Sequence, residues 1–191
     1  MSDDQDTPRQ HNARKADARR LQACYPGLRY TDAYAASTPK ARTWRKFEES
    51  GGYPSVASCA RYVAEAAALL AAASQDCGEP ADRDRLAEGS YFANWLATRL
   101  FELAAFVEMV RVCSPLIPDD GFESSPLPGL PGPLRTHTGL HDVIAMLTVA
   151  SSCASIAEGT PGAPAEVQAA AQHVHALQAW ISPASAGGDP R

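Results

Sequence analysis

The sequence predicts an all-α protein: a four-helix bundle-like core, a long Pro-rich crossover, and a basic, partly helical N-terminal arm. Three observations carry this prediction. Alanine supplies 36 of the 191 residues and isoleucine only four. That balance favours helix, because strands draw on β-branched residues. Apolar residues recur every three or four positions over long stretches, which is the spacing of one helix face. Glycine and proline gather between those stretches, where helices stop. The 39 Val, Ile, Leu, Met, Phe and Trp residues suffice for one compact core, as expected of one domain at this length.

The arm occupies residues 1–50, and its polar first 12 residues read as disordered. Residues 13–23 favour a short helix that Pro26-Gly27 ends. Thr31 is placed to cap a second helix running to about residue 36. Residues 40–49 form a third, with Trp44 and Phe47 on one side and Gly51-Gly52 as its break. Helices this short and polar are marginal alone. They need Tyr25, Leu28, Tyr30, Tyr34, Trp44 and Phe47 to dock on the body.

The helical domain covers residues 51–182. Its first helix, 55–74, carries the stripe Val56, Ala60, Val63, Ala67 and Leu70. Its second, 82–113, carries Leu86, Gly89, Ala93, Leu96, Leu100, Leu103, Val107 and Val110. Phe92, Trp95, Phe101 and Phe106 widen that stripe until the helix is apolar nearly all round, which predicts a buried central element. Residues 114–133 hold six prolines and three glycines and read as the crossover. A third helix spans 135–158 and a fourth 164–182, with Val167, Ala171, Val174, Leu177 and Ile181 facing inward. One long connection after the second helix suits a bundle. The tail, 183–191, reads as disordered.

The net charge of -5 conceals two opposite regions. Residues 7–46 carry ten basic side chains against Asp17 and Asp32, a local balance of +8. Residues 51–191 carry seven basic side chains and fifteen acidic ones, a balance of -8. A basic arm therefore sits on an acidic body. Five widely spaced cysteines with no Cys-x-x-Cys pair read as reduced thiols, which predicts a cytoplasmic protein. No uncharged apolar run of about 18 residues is present, so no membrane contact is expected.

Chemistry-bearing patterns are few. His137 and His141 stand at i, i+4, which on a helix lets both reach one metal, Zn or another divalent ion. Glu102 and Glu108, interrupting the second helix's apolar surface, are the candidate further ligands. His141-Asp142 resembles one fragment of the HD phosphohydrolase signature, but the earlier separated His and the later Asp of that signature are missing. His173 and His175 point to opposite faces, because two residues turn a helix by about 200°. There is no Gly-x-Ser-x-Gly elbow, no phosphate-binding glycine loop and no paired Glu-x-x-His, which leaves enzymatic readings without a motif. The small-residue run 150–155 suits either close helix approach or a shallow pocket.

The basic arm is the sharpest remaining signal. Arg14, Lys15, Arg19, Arg20, Arg29, Lys40, Arg42, Arg45 and Lys46 interleave with Tyr25, Tyr30, Tyr34, Trp44 and Phe47. Such residues contact phosphates and stack on bases, or they dock on an acidic surface. The leading expectation is a small interaction protein without a cofactor, working through protein partners and homo-oligomers. A nucleic-acid accessory protein and a metal-dependent enzyme at His137 and His141 are the alternatives.

Overall fold

The computed structural model describes residues 8–113, 128–135 and 138–182. The described residues form seven helices and no strand. They are α1 (Pro8–Cys24), α2 (Tyr30–Ala35), α3 (Pro39–Glu49), α4 (Gly52–Asp76), α5 (Pro80–Cys113), α6 (His141–Gly159) and α7 (Ala165–Ile181). The all-α class holds. Residues 1–7, the tail, most of the crossover and His137 lie outside the described residues.

α4 packs against α5 and α6, and α7 packs against α6 and α5. α3 lies on α4 and α5, while α1 and α2 pair with each other. One apolar cluster runs through α3 to α7 and includes Trp44, Phe47, Val63, Leu70, Phe92, Leu96, Leu147 and Leu177. At its centre Val56, Cys59, Leu100, Leu103, Ala154, Ala157, Val167 and Ala171 surround a void of only about 10 Å³. The run 150–155 supplies close approach: Ala150, Ser151 and Ala154 are all buried. Gly89 serves the same end, because a Cβ there would overlap the Trp180 ring.

Residues 128–135 are non-helical and pinned at two points. Trp180 Nε1 donates to the Gly132 carbonyl at 3.0 Å. The fully buried Asp82 accepts from the Arg135 backbone N–H at 3.0 Å and pairs with Arg85 at 3.5 Å. A buried carboxylate needs such partners. α4 and α6 are each long and apolar enough to cross a membrane by length and composition. Helices at the centre of a protein core share that composition.

Four expectations are corrected. Residues 8–12 are helical, not disordered: Pro8 suits a first helical turn, and His11 Nδ1 lies 2.8 Å from the Tyr34 hydroxyl. Thr31 does not cap α2; Arg29 holds that position. The third body helix begins at His141 rather than 135, after a turn in which Gly139 takes a φ of +81°. Finally, α5 is not buried all round. Tyr91, Phe101 and Met109 are 65%, 46% and 38% exposed. Among the described residues, its helical neighbours α3, α4 and α7 leave these side chains exposed.

Candidate functional site

The arm's charges divide by location. α3 is anchored by Trp44 and Phe47, both almost fully buried, with Trp44 stacked edge-on at 4.7 Å from Phe106 of α5. The Thr38 side chain caps α3 by accepting from Ala41 N at 3.1 Å, and Pro39 follows at the first helical position. Arg45 is buried and donates to the Ala36 carbonyl at 3.2 Å. Burial pulls its guanidinium below the ordinary arginine range, against the opposing pull of Asp17. Lys40 pairs with Glu166 of α7 at 3.6 Å, an ionic link from arm to body. Lys46 lays its aliphatic stem against Gly162.

α1 and α2 form a separate, smaller cluster around Ala18, Leu21, Ala33 and Ala36. Arg14 donates to the Tyr34 carbonyl at 3.0 Å and stacks 4.4 Å over that ring. Asp17 holds Arg20 at 3.4 Å and Arg42 at 3.3 Å, tying α1 to α3. Arg29 pairs with Asp32 at 2.8 Å, which raises its guanidinium pKa further. Arg9, Lys15 and Arg19 are exposed and hold no ion pair or hydrogen bond among the described residues. With Arg20 they line one arc of α1. Tyr25 and Tyr30 stay 37% and 39% exposed near its C-terminal end. A cleft of about 180 Å³ between α1, α3 and α5 is lined by Arg20, Arg45 and Arg111 together with Glu48 and Glu49. Its mixed charge selects no ligand sign.

The metal candidates do not come together among the described residues. Glu102 pairs with Arg99 at 2.6 Å. Glu108 pairs with Arg111, which holds its carboxyl below the usual range. His141 is exposed at the start of α6, and the turn at 138–140 interrupts the helix that an i, i+4 chelate with His137 requires. Among the described residues no group of three His, Cys, Asp or Glu side chains is placed to hold a metal ion.

One constellation was invisible in the sequence. Ser151 Oγ on α6 lies 2.6 Å from His175 Nδ1 on α7, and His175 Nε2 lies 3.4 Å from Glu158. This is the order of a nucleophile, a base and an orienting carboxylate. Ser151 is buried inside α6, however, where the surrounding N–H groups bond carbonyls four residues earlier. The main-chain N–H groups of that helix turn are therefore not free to act as oxyanion donors. The trio cross-links α6 to α7. The residues are 24 positions apart, so no local spacing announced them. His173 points elsewhere, as predicted: its Nδ1 donates to the Ala169 carbonyl at 2.6 Å and its ring lies 6.5 Å from Phe92.

The described cysteines are free thiols. Cys59 is buried and donates to the Ala150 carbonyl at 3.4 Å. Burial, with a smaller contribution from Cys153, pushes its thiol up to about 12. Such a group is a packing element rather than a nucleophile.

The exposed side of α5 is a further departure from a filled core. Tyr91, Asn94, Trp95, Thr98, Arg99 and Glu102 line a shallow groove of about 210 Å³ there. Arg99 lies 5.5 Å over the Trp95 ring while holding Glu102. No family model, curated protein or solved structure matches the chain.

Proposed function

We infer that the protein is a small non-enzymatic interaction protein whose α1 arc contacts an acidic partner protein. One observation carries this reading: Arg9, Lys15 and Arg19 are exposed and have no ion pair among the described residues, while the arm's other charges are largely engaged at home. Unpaired charge of one sign on a helix steers and orients an oppositely charged surface. A helix of 17 residues offers about 25 Å of such surface. The ring of contacts α4–α5–α7–α6 supports the finer architectural reading, a four-helix bundle-like core with residues 114–133 as its crossover. Its free thiols suit a reducing, cytoplasmic setting.

The test is binding of the full chain to an acidic peptide, followed by fluorescence anisotropy. Lys15→Glu with Arg19→Glu is expected to weaken binding at least about tenfold, and rising salt to weaken it steadily. Unchanged affinity in the double variant sinks the reading. A nucleic-acid reading has one specific support, the exposed Tyr25 and Tyr30 of the same helical arm, since bases stack on such rings. It predicts that a single-stranded oligonucleotide outcompetes the acidic peptide, and that Tyr30→Ala weakens only the oligonucleotide.

A further inference from the structure

We propose that residues 128–134 are a preorganised polyproline II ridge, gripped through Leu130 and Pro133 by a partner protein with an aromatic-lined groove. The backbone carries the assignment. This segment runs without a turn or bend. Proline rings hold φ at about −65° at Pro128, Pro131 and Pro133. Leu130 and Gly132 each precede a proline, which pushes them out of the helical region. Neither Gly129 nor Gly132 takes a positive φ. An unbent chain under these restraints is a polyproline II helix, which turns once in about three residues. Burial follows that period. Pro128 and Pro131 are half-buried and Leu134 is buried, each three residues from the next. Gly129, Leu130, Gly132 and Pro133 are exposed.

Two hydrogen bonds hold the ridge in shape. Trp180 Nε1 donates to the Gly132 carbonyl, and Asp82 accepts from the Arg135 backbone N–H. The cost of ordering the segment is therefore met on folding rather than on binding. The inner side also shows which chemistry suits it, because the donor there is an indole. The outer side offers the same features with no partner among the described residues. Leu130 and Pro133 stand one turn apart, about 9 Å at 3.1 Å per residue. The carbonyls of Gly129, Leu130 and Pro131 hold no hydrogen bond among the described residues. A Cβ on Gly129 would meet nothing within 4 Å. Apolar side chains at this spacing, with open carbonyls between them, suit a groove lined by Trp and Tyr, whose rings pack on the ridge and whose N–H and O–H groups donate.

The connection from α5 is too short to fold back over this ridge. Fourteen residues join Cys113 to Pro128, about 50 Å at full extension. The ridge lies beside Ala87, Glu88 and Tyr91. From Tyr91 to Cys113 α5 alone measures about 33 Å, and passing over Pro133 and back adds about 30 Å. The ridge is separate from the α1 arc, so this proposal and the acidic-partner reading stand or fall independently.

The experiment is surface plasmon resonance of the immobilised full chain against a set of SH3, WW and EVH1 domains, whose grooves have this chemistry. Far-UV circular dichroism confirms that each variant is folded. At least one domain is expected to bind saturably. Leu130→Asp with Pro133→Asp, both at exposed positions, is expected to raise its dissociation constant about tenfold or more. Lys15→Glu with Arg19→Glu is expected to leave that constant unchanged. A set in which no domain binds overturns the proposal. So does binding indifferent to the Leu130 and Pro133 changes, or binding lost with the Lys15 and Arg19 changes, which would place the contact on α1.

Discussion

The two halves of the basic arm carry charge of the same sign and do different things. Residues 39–49 are built into the main core, whereas residues 8–35 form a satellite held by small side chains. Charge does not separate them. The ion pair from Lys40 to Glu166 joins two partly exposed side chains, and such pairs contribute about 0–1 kcal/mol. Burying an aromatic side chain removes roughly 150–250 Å² from water, or about 4–6 kcal/mol of gross transfer free energy. α3 buries two aromatics, Trp44 and Phe47. α1 and α2 bury alanines and Leu21. A +8 arm beside a -8 body thus docks where it has rings to bury, and its outer half keeps charges for solvent.

The largest test of that difference is Trp44→Ala, which is expected to cost about 3–5 kcal/mol in global stability by urea unfolding. An effect below about 1 kcal/mol would dissolve the distinction between the halves.

The second test asks whether the core to which α3 belongs excludes charge. The Cys59 thiol stands at about 12 in the folded chain against an ordinary 9.0. A group whose pKa is raised by folding stabilises the fold fully below the unfolded value and loses that stabilisation as pH rises. Stability is therefore expected to fall from pH 9 toward 12, by up to about 1.4 kcal/mol per unit. Cys59→Ala should flatten this slope in alkaline urea titrations. An unchanged slope would show that Cys59 does not couple to folding.

Removing residues 1–35 probes the other half. The main cooperative transition is expected to shift by no more than about 1 kcal/mol, because only the satellite cluster is lost. Collapse of the transition would show that α1 and α2 are part of the core. The smallest effect is expected from Lys15→Glu with Arg19→Glu, which should leave thermal unfolding within about 0.5 kcal/mol of wild type while weakening binding of the acidic partner. A large loss of stability would show that these charges serve the fold.

Much of the fold was legible in the sequence. The stripes Val56 to Leu70 and Val167 to Ile181 became buried helix faces because 3.6-residue periodicity encodes one inward side. Gly51 was legible as a break, and it takes a φ of +83° before α4. Gly52 was not, since it lies inside α4 where a Cβ would overlap Phe47. His141 opens α6 directly after the Gly139 turn, and His137 lies outside the described residues. Ser151, His175 and Glu158 meet only because α6 and α7 pack together.

By itself, then, the sequence determined the helical class, most helix boundaries and the division of charge. Each of these follows from residues close along the chain, through periodicity, breakers and composition. Only the tertiary structure decided which half of the arm docks, which α5 side chains the described helices bury, and which polar groups find partners. Those outcomes depend on how much apolar surface distant helices cover. Apolar residues lie right around α5, and among the described residues its helical neighbours α3, α4 and α7 leave Tyr91, Phe101 and Met109 exposed.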